Sequence, residues 1–321
     1  MATMKSKTVL VTGGAGFIGS HVVDRLLEQK QRVIVIDDFN DYYSPTQKKK
    51  NLEKAANNKN FELIRGDIRS KSVIGKVFDK YEIGSVIHLA ARAGVRPSLD
   101  NPKLYWDTNV MGTLNILEAM RKHKVKKLVF ASSSSVYGNR DQGPFRETDN
   151  TDNPVSPYGA SKKAMEVLCG TYAGLHGIDT VGLRFFTAYG PRNRPDMACY
   201  LFTDAISRGK SLTQFGDGSS GRDYTYIDDI VEGILACWRG KFEYEIFNLG
   251  NSSPVLLKDL IATIELVVGG KAKISRQGFQ QGDVQLTFAD IEKARKLLGW
   301  QPKTDLNTGL LNLFSWFREL K

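Results

Sequence analysis

Tyr158 and Lys162 stand four residues apart in "PYGASK". In a helix that spacing puts both side chains on one face. A phenol ordinarily ionises near pH 10, and an ammonium held beside it favours the phenolate and lowers that value. A tyrosine tuned in this way can take a proton from a hydroxyl near neutral pH. Four serines, Ser132 to Ser135, lie upstream in "KLVFASSSSVYG". One of their hydroxyls can hydrogen-bond the oxygen that loses the proton. Tyr-x-x-x-Lys alone is common, so the pair acquires meaning only from its surroundings.

The segment "VLVTGGAGFIGS" supplies them. Gly13, Gly16 and Gly19 follow an apolar strand and open a helix. Glycines allow a tight turn and a close approach of backbone to a pyrophosphate. The N–H groups and dipole at the helix start stabilise its charge. The second strand ends "VIVIDDFN", and its Asp37 lies 18 residues beyond Gly19. A carboxylate there can hydrogen-bond both ribose hydroxyls and repels a 2′-phosphate. The expected cofactor is therefore NAD rather than NADP. Phe17 and Ile18 in the first helical turn, and Asn40 beyond Asp37, join the expected cofactor residues. Later strand ends add Asp67 and Ile68 in "GDI" and Leu89, Ala90 and Ala91 in "HLAA". Asn109, on the following helix, and Ser132 complete the set. Asp67 could equally cap a helix.

Strand-like and helix-like segments alternate to hold these residues. "TVLVT", "RVIVID", "FELIRGD", "SVIHLA", "KLVFASS" and "TVGLRFF" are the strands. They are apolar throughout, as in a parallel sheet covered by helices on both faces. Helices are expected over 17–29, 102–123 and 157–176. The pattern is a doubly wound α/β fold of Rossmann type. Beyond Tyr189 it loosens into Gly- and polar-rich stretches, which predicts a smaller mixed α/β lobe. The expected division is a cofactor domain over 1–188, to which some later segments return, and a mainly substrate-binding lobe over 189–321.

The 321 residues carry a net charge of +10, with 41% apolar and 25% charged residues. That is the composition of a globular chain. The basic runs "KKKNLEK" and "RKHKVKK" lack interleaved aromatics and read as solvated surface, not as a nucleic-acid site. Their charge can steer an anionic substrate. No apolar run approaches the roughly 20 residues of a membrane span, and the N-terminal stretch lacks a signal peptide's apolar region. A cytoplasmic location is expected. Cys169, Cys199 and Cys237 are widely spaced, as are the four histidines. The cysteines read as buried reduced thiols, and no metal is expected.

Taken together, "TGGAGFIGS", "HLAA", "SSSSVYG", "PYGASK", "RFFTAYGP", "GRDYTYIDD" and "GDV" resemble the extended short-chain dehydrogenase/reductases of the nucleotide-sugar epimerase/dehydratase class. The resemblance covers nearly the whole chain. It implies a tightly bound NAD that takes hydride from C4 of a sugar. Tyr158 would remove the O4 proton, Lys162 would tune it and bind the ribose, and Ser133 would orient O4. Dehydratases and decarboxylases of the class carry an acid between the catalytic hydroxyl and "VYG". Ser134 and Ser135 stand there, which favours simple epimerisation.

"AGVRPSLDNP" and "RFFTAYGPRNRPDMA" resemble the glucuronate 4-epimerases, although Pro97 departs from an aromatic residue often found there. A C6 carboxylate would then fall to Ser134, Ser135 and Thr187, with Arg96 or Arg194 as an ion partner. The resemblance gives Arg222 the diphosphate and Asp283 the uridine ribose, and sets Gln280 among the substrate residues where galactose-type enzymes often have arginine. Phe215 would line the uracil site or belong to the core. Alternatives are a UDP-glucose or UDP-N-acetylglucosamine 4-epimerase, a decarboxylase or dehydratase, and a catalytically silent NAD sensor. The family's four-helix bundle between subunits implies a homodimer, with Leu114, Leu117, Val167 and Leu168 serving either that seam or the core.

Overall fold

The computed structural model describes residues 8–140, 143–278 and 285–320. The chain forms two compact units. The first comprises the chain up to Gly138, Asn150–Arg184 and Ile234–Phe247; the second comprises Asn139–Asp149, Phe185–Gly233 and Asn248 onward.

The first unit is built on strands β1 (Thr8–Thr12), β2 (Val33–Asp37), β3 (Phe61–Arg65), β4 (Ile83–His88), β5 (Lys127–Ser133) and β6 (Asp179–Phe185). β1 pairs in parallel with β2 and β4, β2 with β3, and β4 with β5. The sheet runs Tyr244–Leu249, β6, β5, β4, β1, β2, β3. Its order reverses between β1 and β4, the switch point where such sheets bind ligands. Every residue of β1 and β2 is buried. Valine and isoleucine suit a strand covered on both faces.

The helices are α1 (Phe17–Glu28), α2 (Pro45–Asn51), α3 (Glu53–Ala56), α4 (Lys71–Lys80), α5 (Val95–Asp100), α6 (Pro102–Tyr105), α7 (Gly112–Lys122) and α8 (Pro157–His176). α8 starts and stops where its sequence says. Ser156 accepts the Gly159 N–H at 3.1 Å, Pro157 opens the first turn, and Gly177 ends the helix at φ 55°. The expected helix over 102–123 is interrupted. Residues Trp106–Met111 form a π turn, and the Thr113 hydroxyl bonds the Asn109 carbonyl inside it. A hydroxyl that takes a main-chain acceptor perturbs the helical ladder. Leu10, Ile34, Val86 and Leu128 of the sheet pack with Ile116 and Leu117 of α7 and Met165 of α8.

The second unit centres on the strand Gly221–Tyr226. Thr187–Tyr189 and Leu286–Thr287 pair with it in parallel, and Pro254–Leu256 pairs antiparallel. Ser211–Phe215 and Lys273–Gln277 form a separate parallel pair. This is the mixed lobe that the looser pattern predicts. Asp223, fully buried, accepts the N–H groups of Asn251 (2.6 Å), Ser252 (3.0 Å) and Ala289 (2.9 Å) and so ties two connections to the central strand.

Candidate active site

Gly13 follows β1 with φ 71°, a conformation that glycine adopts without strain. Its N–H donates to the Ile36 carbonyl (2.8 Å), and its own carbonyl accepts from Gly16 (3.1 Å). A Cβ on Gly13 would lie 2.7 Å from the Ala90 nitrogen, and one on Gly19 would strike the Gly13 carbonyl. The turn therefore packs backbone on backbone against the end of β4. Gly16 caps α1 without a side-chain hydrogen bond. That leaves the helix start the chemistry of an anion site. Phe17 is buried and Ile18 half-buried in that first turn.

Asp37 ends β2, and its two oxygens accept the N–H groups of Phe39 (2.9 Å) and Ala15 (3.0 Å). Burial pushes its carboxyl above the ordinary range, against those two bonds and the pull of Lys48. Lys48 overturns part of the surface reading of "KKKNLEK". It is 4% exposed, and its Nζ donates to the Asn40 carbonyl at 2.7 Å. Asn51, also buried, donates to the Ala15 carbonyl at 3.0 Å. α2 thus packs against the glycine turn. Composition hides this, because Lys48 is followed by two more lysines. The signal was the Ser44-Pro45 helix start, which sets Lys48 and Asn51 on one face.

Asn109 is fully buried in the π turn. Its amide accepts the Arg92 N–H (2.8 Å) and donates to the Arg92 carbonyl (3.0 Å) and the Ser161 hydroxyl (2.9 Å). It holds the segment after β4 onto α8. In that segment Leu89 donates to the Thr12 carbonyl (3.0 Å) and Ala90 to the Thr12 hydroxyl (3.2 Å), and Ala91 is half-buried. Asp67 does not cap a helix. Ser70 caps α4, and Asp67 accepts three bonds from Arg69. Burial opposes them, but those bonds hold its carboxyl below the usual range. Asn115, which the sequence reading passed over, donates to the Ile68 and Arg69 carbonyls, both at 3.0 Å.

At the neighbouring strand end, Lys162 is 2% exposed and donates to the Ala131 carbonyl at 2.7 Å. Its Nζ lies 6.0 Å from the Tyr158 ring centre. Burial lowers its ammonium to about 7. Tyr158 is half-buried and edge-on to Tyr105, with centroids 6.1 Å apart. Its N–H donates to Ser98 at 3.2 Å, which anchors the segment carrying the exposed Arg96 to the start of α8. The Ser133 hydroxyl accepts the Ser135 N–H (3.1 Å) and bonds the Ser135 hydroxyl (3.2 Å) as the chain turns through Ser134–Tyr137. The Ser132 hydroxyl donates to Glu166 at 2.6 Å. The structure thus brings Tyr158, Lys162 and Ser133 to the edge of the sheet that carries the glycine turn.

Thr187, Arg194, Phe215 and Arg222 belong to the second unit. Thr187 is half-buried opposite Tyr224. Arg194 makes a two-point pair with Asp196 (3.0 and 2.7 Å). Phe215 ends its strand opposite Gln277, and Arg222 donates to the Gly221 carbonyl at 2.9 Å. Gln280 and Asp283 lie outside the described residues. Among the described residues no group of three His, Cys, Asp or Glu could hold a metal ion, and no helix is long and apolar enough to cross a membrane.

A Rossmann-type sheet with this glycine turn and a Tyr–Lys pair is the framework of the extended short-chain dehydrogenase/reductases. The chain belongs to the GDP-mannose 4,6 dehydratase family, which matches residues 10–313. It is 44% identical to a UDP-glucuronate 4-epimerase of Thermodesulfobacterium geofontis, over 97% of this chain and 96% of that protein. Among solved structures it is similar to the UDP-glucuronic acid 4-epimerase of Bacillus cereus in complex with UDP-glucuronic acid and NAD. That likeness has a TM-score of 0.93 and 37% identity, and covers 98% of this chain and 100% of the other. The UDP-glucose 4-epimerase of Thermotoga maritima with UDP-glucose gives a TM-score of 0.90 at 34% identity, covering 98% and 99%.

Proposed function

We propose that the chain catalyses the NAD-dependent 4-epimerisation of UDP-glucuronate to UDP-galacturonate. The observation that carries the reading is the placement of Tyr158, Lys162 and Ser133 on the sheet edge that bears the glycine turn. The dinucleotide fits this chain. The turn has no room for a Cβ at Gly13 or Gly19, the start of α1 has no side-chain cap, and Asp37 stands at the end of β2. Gly13, Gly16, Phe17, Ile18 and Gly19 would hold the pyrophosphate, and Asp37 with Asn40 the adenosine ribose. Asp67 and Ile68 would border the adenine. Leu89 to Ala91, Asn109, Ser132, Tyr158 and Lys162 would border the remainder. When bound, NAD would supply the hydride acceptor and donor at C4, between which the 4-keto sugar turns over within the site.

The chain's own residues handle the proton. Tyr158 takes it from O4 and gives it back, Ser133 holds O4, and the Lys162 ammonium favours the phenolate. No carboxylate stands at positions 134 and 135 to assist elimination. Ser134, Ser135 and Thr187 donate to the C6 carboxylate, with Arg96 as its ion partner. Arg194 is already held by Asp196 through Nε and one NH2 donor, and its remaining donors would serve the substrate. Arg222 takes the diphosphate, Phe215 the uracil, and Gln280 and Asp283 the uridine side. The enzyme works as a homodimer in the cytoplasm, where its three buried thiols stay reduced.

The test is turnover of UDP-glucuronate against UDP-glucose. A site built for a carboxylate leaves its donors unpaired when a neutral group replaces it. Losing a charge-assisted hydrogen bond costs about 1.5–3 kcal/mol, or roughly 10–100-fold in kcat/KM. Thr187→Ala should therefore lower glucuronate turnover by about that factor and leave glucose turnover nearly unchanged. Equal use of both sugars by the parent enzyme would promote the neutral-hexose reading. A pentose nucleotide with carbon dioxide as the main product would replace epimerisation by decarboxylation.

A further inference from the structure

Glu166 and Arg184 form an ion pair next to Lys162, with side chains only 3% and 5% exposed. Glu166 lies one turn beyond Lys162 on α8. Its Oε1 accepts the Ser132 hydroxyl (2.6 Å) and Arg184 Nε (2.9 Å), and its Oε2 accepts Arg184 NH2 (2.8 Å). The Arg184 guanidinium also sits 4.8 Å above the Tyr137 ring. A buried ion pair is a poor source of stability, because desolvation offsets its attraction and apolar residues of equal volume serve as well. Its presence at this depth calls for another role.

We infer that Ser132, Glu166 and Arg184 are positioning residues for the Tyr158–Lys162–Ser133 set, clamping α8 to the end of β5. The inference rests on the reading of Tyr158 as the proton acceptor. Two adjacent residues of β5 are tied to α8 one turn apart: Ala131 to Lys162 and Ser132 to Glu166. Two such ties fix both the rotation and the height of the helix against the strand. Ser133 is the next residue, so its distance from Tyr158 follows from the clamp.

The pair acts by position, because Arg184 neutralises Glu166 through two hydrogen bonds. The ionisable groups around Lys162 are Tyr158, Glu166 and Cys169 on its own helix and His88 at the end of β4. Burial holds His88 neutral, down to about 3, and pushes the Cys169 thiol up. Around Glu166 stand Arg184 of β6 and Tyr244, and the Tyr137 ring faces the Arg184 guanidinium. Removing the pair as a unit therefore leaves the net charge around Lys162 unchanged.

The test uses a double variant, Glu166→Met with Arg184→Met, which removes the pair as a unit and fills its volume. Ultraviolet difference titration against Tyr158→Phe in each background reads Tyr158 ionisation with no sugar present. The double variant should keep the parent's unfolding temperature within a few degrees and the parent's titration, while kcat falls severalfold as Tyr158 and Ser133 lose their register. Parental kcat in the folded variant would make the pair merely structural. If the double variant does not fold, Ser132→Ala carries the test alone. Ser132→Ala tests the clamp separately. It should lower kcat severalfold without moving the titration, and parental kcat would remove that half of the inference. Failure of the parent to turn over any sugar nucleotide would overturn the proposed activity, whereas an active parent with parental kcat in both variants would overturn this inference alone.

Discussion

At the scale of single residues, the proposed chemistry rests on groups whose surroundings differ sharply over a few ångströms. Tyr158 is half-buried, whereas Lys162, one turn away, is 2% exposed. The substitution Tyr158→Phe removes only the phenolic oxygen. The ring stays edge-on to Tyr105, and the Ser98 bond to the Tyr158 N–H is untouched. Binding of NAD and sugar nucleotide should persist while turnover falls by about 10²–10⁴-fold, the usual contribution of a positioned base. Turnover above about a tenth of the parent rate would place the base elsewhere. The Tyr158/Lys162 pair was legible because an i, i+4 spacing is written in the chain itself. Lys48 and Glu166 were not. A lysine in a run of three and a glutamate in a helix become buried partners only once α2 packs against the glycine turn and Arg184 of β6 meets α8.

The elements were legible in proportion to how local their causes are. β1 and β2 follow from continuous apolar runs, and α8 from Ser156, Pro157 and Gly177. The π turn around Asn109 depends on the Thr113 hydroxyl and on bonds to Arg92 and Ser161, which are tertiary facts. The second lobe gave a weak signal for a related reason. Its strands are short, and its central strand is held by one buried carboxylate as well as by its ladder. Asp223 supplies acceptors to three backbone N–H groups from two separate connections. In Asp223→Asn a single oxygen remains, and an NH2 group faces donors it cannot satisfy. Each buried donor left unpaired costs about 1–3 kcal/mol. The variant should lose stability by at least that much, read as a lower urea midpoint. A midpoint equal to the parent's would mean that water replaces the carboxylate at no cost.

For the whole molecule, the outer faces of α8 and of the segment 95–111 raise the question of assembly. Val167 and Leu175, two turns apart on α8, are 58% and 71% exposed, and Leu99, Trp106 and Met111 are 56%, 48% and 42% exposed. Leu117 and Met165 are instead fully buried, and Leu168 packs against the same core. Of the residues assigned in the sequence to either core or seam, Leu117 thus belongs to the core, Leu168 lines it, and Val167 is left outside. Large exposed apolar side chains of this kind suit an interface. α8, 20 residues long, offers about 30 Å of helix for it. We propose that two copies pair through α8 and the helical segment that holds Trp106 and Met111, in a four-helix bundle that would bury these side chains. The parent should therefore sediment as a dimer at micromolar concentration. Val167→Glu with Leu175→Glu should shift it to a 35.8 kDa species while leaving the core side of α8 intact. A parent that sediments only as the 35.8 kDa species would contradict the assembly, and the exposed residues would then need another partner.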